Sequence, residues 1–143
     1  MRMTRACEYG LQGVLYLAMQ PEGRTTLLSE ISKARTIPYS FLGKIFRNLV
    51  KAGIVKSIRG IHGGFTLARG ARHITMKDIV EAVEGDIAFS NCSNKSNRCD
   101  RIMYCSMATS WKRAQKRAFD VLANVNFEAL ARKEKRVFKR GKK

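Results

Sequence analysis

The chain has 143 residues, 45% of them hydrophobic, which is enough for one compact domain with a core. No apolar run approaches the ~18–20 residues of a membrane span, and the first residues lack the pattern of an export signal, so we expect a cytoplasmic protein without membrane partners. The formal net charge of +17 favours a polyanionic partner such as DNA or RNA.

Spacing of apolar residues predicts the first helices. Residues 6–19 carry the three- and four-residue spacing of a helix with one buried face, and a Pro-Glu-Gly segment ends it. Thr26 is predicted to cap a short second helix, with Leu27 among its inward-facing residues. A turn over residues 34–37 follows, and Pro38 suits the first position of a third helix, where its missing N–H costs nothing.

The third helix combines an apolar stripe with a basic face. The stripe consists of Phe41, Leu42, Ile45, Phe46, Leu49 and Val50. The opposite face consists of Ser40, Lys44, Arg47 and Lys51. Gly53 suits the end of this helix, and strand-like runs at residues 54–58 and 65–68 then flank a glycine-rich hairpin tip.

Two short helices, a tight turn and a basic hairpin predict a winged helix-turn-helix, a mainly α fold with a small β-hairpin wing. In this fold the second helix of the pair enters the major groove of double-stranded DNA, while the wing reaches the backbone or the minor groove. The candidate DNA-binding residues are Tyr39, Ser40, Lys44, Arg47, Lys56, Arg59 and His62. The alternative is a small helical core whose polar face is only solvated.

The second half of the sequence predicts one capped helix and one long final helix. Thr75 and Asp78 match an acidic capping box, and Gly85 closes that helix. The final helix carries the apolar residues Trp111, Ala114, Ala118, Val121, Leu122 and Val125. Little of so short a chain is left to cover them, so they predict a homodimer through this helix, with ordinary core packing as the alternative.

These elements predict four regions along the chain. They are a DNA-binding domain over residues 1–85, a cysteine-bearing cluster loop over 86–106, a dimerisation helix over 107–130 and a basic tail over 131–143. The tail holds eight Lys and Arg residues against one acid, and is expected to be unstructured on its own.

Three cysteines cluster before the final helix. Cys92, Cys99 and Cys105 are separated by six and five residues, a wider spacing than the close pairs of a structural zinc site. Thiolates spread in this way can hold an iron–sulfur cluster with two or four irons, and nearby Lys and Arg residues offset its negative charge. The alternatives are a zinc site, a thiol–disulfide switch or cysteines without a ligand.

The chain resembles the bacterial winged-helix regulators of the Rrf2 family, which includes IscR, the iron–sulfur cluster regulator, and NsrR, the nitric-oxide-sensing repressor. The resemblance covers roughly residues 1–130. It rests on the opening M-R-M-T, the run Y-S-F-L of the third helix, the run L-V-K-A-G-I-V, the wing R-G-I-H-G-G-F and the three cysteines.

The resemblance implies a homodimer on a pseudo-palindromic operator, with a cluster that senses iron, nitric oxide or redox state and alters DNA affinity. The chain departs from IscR-like members in three ways. The first cysteine gap is one residue longer, Gly43 replaces a glutamate of the recognition helix, and Ala108 stands where a histidine supplies the fourth ligand.

The fourth ligand is therefore a separate question. NsrR-like members take an acidic ligand from the N-terminal region of the other subunit, and Glu8 stands at that place. The resemblance thus implies Cys92, Cys99 and Cys105 from one subunit and Glu8 from the other, with Cys7 in reserve. The alternative for Glu8 is a surface acid stabilised by the helix dipole.

The predicted function is transcription regulation, as a repressor whose operator affinity is controlled by the cluster. A basic nucleic-acid-binding protein without a sensing role is the main alternative, followed by a zinc or thiol switch on the same fold. An enzyme is a poor interpretation, because the two histidines, His62 and His73, lie near the wing and no nucleophile–base pair can be placed.

Overall fold

The computed structural model describes residues 3–90 and 99–141 of the chain. Its helices are α1 (Arg5–Met19), α2 (Leu28–Arg35), α3 (Tyr39–Lys51), α4 (Met76–Glu84), α5 (Ala108–Ala123) and α6 (Phe127–Gly141). The strands β1 (Val55–Ile58) and β2 (Gly64–Leu67) form an antiparallel hairpin between α3 and α4. The order of these helices and strands along the chain is that of the predicted winged helix-turn-helix. No helix in these two ranges is long and apolar enough to cross a membrane.

Helix α1 is the central element of the core, and two glycines let its neighbours approach it closely. A Cβ atom on Gly13 would lie 2.7 Å from the ring of Phe46 in α3. A Cβ atom on Gly10 would lie 3.1 Å from the side chain of Val83 in α4. Because packed interiors leave no room for added atoms, these contacts fix α3 and α4 relative to α1.

The turn between α2 and α3 is held by local hydrogen bonds. Thr36 ends α2 in the left-handed region, at φ 53°. The Ile37 N–H donates to the Ser32 carbonyl at 3.0 Å, and the Ser32 hydroxyl donates to the Ile37 carbonyl at 2.6 Å. Pro38 is the N-cap of α3 rather than its first residue, a difference of one position. The direction of α3 relative to α2 is therefore set within the turn itself.

The segment before α2 pairs with the hairpin instead of capping the helix. The sequence predicts Thr26 as the cap and Leu27 as inward-facing, and both predictions are wrong. Leu27 is the N-cap, makes no side-chain hydrogen bond there and is 56% exposed. Thr26 is buried, and its backbone donates to and accepts from Phe65 of β2 at 2.9 and 2.8 Å. This pairing satisfies two buried backbone groups, which outweighs one side-chain cap.

The hairpin and α4 begin and end where local signals predict. Gly53 follows α3 at φ 69°, and β1 then pairs with β2 in the register Val55↔Leu67. The Thr75 hydroxyl accepts from the Asp78 N–H at 3.2 Å, while the Asp78 carboxylate accepts from the Thr75 N–H at 2.8 Å. The predicted capping box is therefore confirmed.

The single long final helix predicted from the sequence is two helices. Helix α5 ends at Ala123, and Val125 lies in the connection, where its carbonyl accepts from the Met76 N–H at 2.9 Å. The side chain of Asn126 then accepts from the Ala129 N–H at 2.9 Å, as an N-cap of α6 does. This asparagine is a local start signal that apolar spacing alone does not reveal.

The predicted basic tail begins inside α6, which belongs to the core. Phe127 and Ala131 are 1% and 4% exposed, and α6 packs against α1. Further along the helix, Glu134 forms an ion pair with Arg35 of α2. The expectation of an unstructured tail is therefore wrong up to Gly141, because the three- and four-residue apolar spacing continues past residue 127 and gives the helix a buried face.

Candidate nucleic-acid interface and cysteine loop

Helix α3 presents its polar side at the surface. Its buried residues are Leu42, Ile45, Phe46 and Leu49. The apolar stripe is narrower than predicted, because Phe41 and Val50 are 56% and 37% exposed. Tyr39, Ser40, Lys44 and Arg47 are all exposed. The last three follow at helical spacing, so they lie along one accessible side.

The basic residues of α3 and the hairpin have no acidic partner in the described ranges. No carboxylate in residues 3–90 and 99–141 pairs with Lys44, Arg47, Lys56 or Arg59. Elsewhere cations are paired, as with Lys116 and Asp120 at 2.8 Å. Unpaired cations are free to contact phosphates or base edges without first breaking an ion pair.

The hairpin is fixed to both helices of the helix-turn-helix. Phe65 of β2 lies edge-on to Phe46 of α3, with ring centroids 5.0 Å apart. Gly64 is required beside it, since a Cβ atom there would lie 2.5 Å from the carbonyl oxygen of Thr26. The same strand is bonded to Thr26, just before α2. The hairpin therefore has a set position relative to α3.

A tight turn forms the tip of the hairpin. The Gly63 N–H donates to the Gly60 carbonyl at 3.0 Å, which leaves Ile61 and His62 as the two central residues. Gly60 has φ 111°, and a Cβ atom on Gly63 would lie 2.5 Å from the Ile58 carbonyl oxygen. Ile61 is 98% exposed. Arg59 and His62 of this tip are predicted from the sequence, because they are basic, and Ile61 is not. The glycines on both sides of Ile61 are the signal in the sequence that could have identified it.

Two of the three predicted cluster cysteines lie in the described ranges. Cys99 and Cys105 are half-buried free thiols at either end of a series of turns, and Cys92 lies outside the described residues. The Cys105 carbonyl accepts from the N–H of Ala108, the first residue of α5, at 3.2 Å. Accessible thiols of this kind are suitable donors for soft metal ions and iron–sulfur clusters.

Glu8 and Cys7 are neighbours with opposite accessibility. Glu8 is exposed in the first turn of α1, whereas Cys7 is fully buried. Burial, and to a lesser degree the charges of Glu84 and Glu8, raises the pKa of Cys7 to about 11. A thiol must lose its proton to bind a metal, so Cys7 is unsuited as a reserve ligand.

The predicted ligands do not meet within one described chain. In residues 3–90 and 99–141, no three His, Cys, Asp or Glu side chains converge on a common metal position. Within these ranges, Glu8, Cys99 and Cys105 therefore form no three-residue group of their own.

Helix α5 packs on its own chain through one face. The rings of Phe119 and Phe89 lie 6.4 Å apart, and the Gln115 side-chain oxygen accepts from the Phe89 N–H at 3.0 Å. These contacts place α5 beside the segment that follows α4 and leave another face of the helix outward.

The outward face of α5 is an apolar stripe with three- and four-residue spacing. Its members are Met107, Trp111, Ala114, Ala118 and Val121. In the single chain Met107, Trp111 and Val121 are 64%, 40% and 64% exposed. The prediction that the same helix also carries Val125 is wrong, since Val125 lies beyond the end of α5. The three- and four-residue spacing of a helix–helix seam holds for the five residues from Met107 to Val121.

The chain is similar to known transcription regulators in sequence. Residues 3–133 match the family model of Rrf2, described as an iron-dependent transcriptional regulator. HTH-type transcriptional regulators of Neisseria meningitidis serogroups A and B are each 32% identical to the chain over 130 residues, which span 91% of this chain and 87% of theirs.

Solved structures of regulators share the fold. CymR, the global cysteine regulator of B. subtilis, superposes with a TM-score of 0.76 at 27% identity, covering 92% of this chain and 96% of that chain. IscR of T. potens superposes with a TM-score of 0.73 at 26% identity, covering 91% and 86%. All four proteins are transcription regulators by name and none is an enzyme.

Proposed function

Since the chain belongs to the Rrf2 family of transcriptional regulators, we propose that it is a homodimeric repressor that binds a pseudo-palindromic operator and responds through an iron–sulfur cluster. Helix α3 would lie in the major groove, with Ser40, Lys44 and Arg47 toward base edges and phosphates. The wing would follow the adjacent minor groove or backbone. Two copies of the chain would read two half-sites related by the symmetry of the dimer.

The observation that carries the DNA-binding part is the set of cations on α3 and the wing that have no carboxylate partner among the described residues. Lys44, Arg47, Lys56 and Arg59 lie at the surface of two elements that are packed together through Phe46 and Phe65. Basic side chains are common over the whole surface of a protein with net charge +17. These four, however, lie on the helix and the hairpin with which a winged helix-turn-helix binds DNA.

The dimer is supported by the stripe on α5. Met107, Trp111 and Val121 are large apolar side chains at the spacing of a helix–helix seam, and each is more than a third exposed in the single chain. Pairing with the same helix of a second copy would remove this surface from water. A two-fold axis between the helices would also give the two α3 helices the symmetry of a palindromic operator.

Cluster binding would use the chain's thiols and one carboxylate. Cys99 and Cys105 are accessible donors, Cys92 would complete the thiolate set, and Glu8 of the other subunit would be the fourth ligand. When bound, the cluster would supply iron sites that respond to iron level, nitric oxide or oxidants. A carboxylate is a harder ligand than a thiolate, so the iron held by Glu8 would be the labile one.

Glu8 lies where a change in ligation can reach the DNA-binding helix. It belongs to the first turn of α1, whose N-cap Thr4 donates from its N–H to the Glu84 carboxylate of α4 at 3.1 Å. Helix α1 packs on α3 through Gly13 and Phe46. Release of Glu8 would therefore alter the position of α1 against α4. Because α3 packs on α1 in the same core, this change would also reach α3.

The DNA-binding proposal is tested with a duplex that the protein selects from a random-sequence pool. Substitution of Arg59 or Arg47 by Ala should weaken binding to this duplex by about 1–3 kcal/mol each, the worth of one bidentate base contact. Lys116→Ala on α5 is the control and should bind like the unmodified protein. Equal affinities for all three variants, or failure to enrich any sequence, would refute the proposal.

The cluster proposal is tested by anaerobic purification followed by iron and sulfide analysis. Cys99→Ala and Cys105→Ala should lose iron and sulfide, whereas Cys7→Ala should retain them. Glu8→Ala should form a cluster that is lost faster on exposure to air, with Glu22→Ala, another exposed acid, as the control. If Glu8→Ala keeps the spectrum and lifetime of the unmodified protein, the fourth ligand is another group.

A second candidate is a thiol-based regulator on the same fold. It is favoured by the similarity to CymR, a cysteine regulator, at a TM-score of 0.76. Protein purified without oxygen would then be colourless and free of iron and sulfide. Its DNA affinity would instead change on treatment with oxidant and return on treatment with a thiol reductant.

A further inference from the structure

The tip of the wing carries an apolar side chain that the DNA-binding proposal leaves without a role. Ile61 is 98% exposed, more than the other large hydrophobic residues of the described chain. It occupies a central position of a closed turn, so its direction is set by the backbone and not by a flexible loop. Its β-branched side chain has few rotamers and loses little freedom when it is enclosed.

The turn is narrow because glycines flank the two exposed residues. Gly60 and Gly63 add no side chains beside Ile61 and His62, and the turn is closed by the Gly63–Gly60 hydrogen bond at 3.0 Å. A B-DNA minor groove is about 6 Å wide, so a side chain at the end of a turn can enter it only where no bulky neighbours stand beside that side chain. The glycines on both sides therefore let the Ile61 side chain lead into the groove while the backbone of the turn stays at its edge.

The neighbours of Ile61 suit DNA and not an apolar partner. Arg59 and His62 are exposed on either side, and no ion pair within residues 3–90 and 99–141 engages Arg59. An arginine beside an apolar tip combines attraction to the narrow, negative minor groove with a side chain that can displace stacked bases.

From this geometry we propose that Ile61 is an apolar wedge that enters the minor groove and opens one base step in each half-site, bending the duplex. The inference rests on the proposed DNA-binding function. Opening a step is easiest at pyrimidine–purine steps such as TA and CA. The selected duplex should therefore carry such a step at the position of the wing, although no polar group of the tip needs to read its bases.

The test uses the duplex selected from a random pool, with 2-aminopurine replacing in turn each adenine of the wing segment. Binding of the unmodified protein should raise 2-aminopurine fluorescence at one step per half-site, because unstacking relieves quenching. Ile61→Ala should remove this rise, reduce the bend measured by gel mobility and lower affinity by roughly tenfold. Ile61→Met keeps a large apolar side chain and should retain most of the fluorescence rise, the bend and the affinity.

Two controls separate the wedge from other causes. Val137→Ala removes a comparable exposed apolar side chain from α6, 62% exposed, and should leave affinity, bend and fluorescence unchanged. Replacement of the opened step by AA should weaken the unmodified protein but not Ile61→Ala. If a duplex is selected but fluorescence stays quenched and Ile61→Ala binds normally, the wedge is refuted and DNA binding stands. If no sequence is enriched, the proposed function fails, and the wedge fails with it.

Discussion

Arg35 of α2 and Glu134 of α6 form an ion pair that ties the last helix to the helix-turn-helix. Both side chains are largely shielded, at 13% and 21% exposure. The same guanidinium donates to Gln12 of α1 at 3.1 Å and lies 5.7 Å from the centre of the Tyr16 ring. One arginine thus joins three helices, immediately before the turn that directs α3.

Loss of this ion pair should destabilise the fold. Glu134→Gln should lower the free energy of unfolding in urea by about 1–3 kcal/mol, because a shielded guanidinium is left without its carboxylate. Glu128→Gln is the matched control on the same helix. Its partner Arg132 is 68% exposed, so the decrease should stay below about 1 kcal/mol. Equal decreases for the two variants would show that the Arg35–Glu134 ion pair contributes no more than a surface pair.

The basic residues at the end of α6 should act on DNA affinity through salt. Lys135, Arg136, Lys139 and Arg140 lie at the surface. Their replacement by Gln should weaken binding to random duplex and reduce the slope of affinity against salt by about 0.9 for each phosphate that is no longer neutralised. Deletion from residue 131 would be a poor test, since it also removes the buried Ala131 and the partner of Arg35. If the preference for the selected duplex over random duplex disappears instead, α6 contacts base edges.

Local signals in the sequence predict much of this fold. Thr75 and Asp78 form the expected capping box, and the glycine-rich run between two short strands is the wing. The accessible face of Ser40, Lys44 and Arg47 follows from helical spacing alone. Each of these features is decided by residues within a few positions of one another, so the sequence displays it directly.

The errors come from contacts between distant segments. Nothing near Thr26 indicates that it pairs with Phe65, a contact that exists only once the hairpin is packed on α3. In the same way, the basic composition after residue 131 hides a helix held by Ala131 in the core and by Glu134 on Arg35. The cluster ligands are harder still, because the acidic ligand is expected from another chain.

A charge in the stripe of α5 should dissociate the proposed dimer. Val121→Glu places a carboxylate among apolar side chains of a second copy, and light scattering should show more monomer at micromolar concentration. Ala123→Glu makes the same charge change on the opposite side of the helix, at an exposed position, and should leave the dimer intact. An unmodified protein that is monomeric under these conditions would rule out the α5 interface.

The buried Cys7 thiol should make stability fall at high pH. Its pKa is raised by burial to about 11 from 9.0, so above pH 9 the unfolded state loses a proton that the folded state keeps. The free energy of unfolding should therefore decrease from pH ~8 to pH ~10.5 by about 2 kcal/mol more than in Cys7→Ala. Urea titrations of both proteins at the two pH values measure this difference. Parallel profiles would show that Cys7 ionises freely in the folded protein.

The two backbone hydrogen bonds between Thr26 and Phe65 limit how such a regulator can be switched. The wing is attached on one side to the segment before α2 and on the other to α3, so the proposed major-groove and minor-groove contacts would belong to one rigid unit. A signal cannot loosen the wing alone without exposing a buried threonine and two backbone groups. In the proposed homodimer, control would therefore act on the distance and angle between the two DNA-binding units, so that a signal would change the length of operator spacer that the dimer fits.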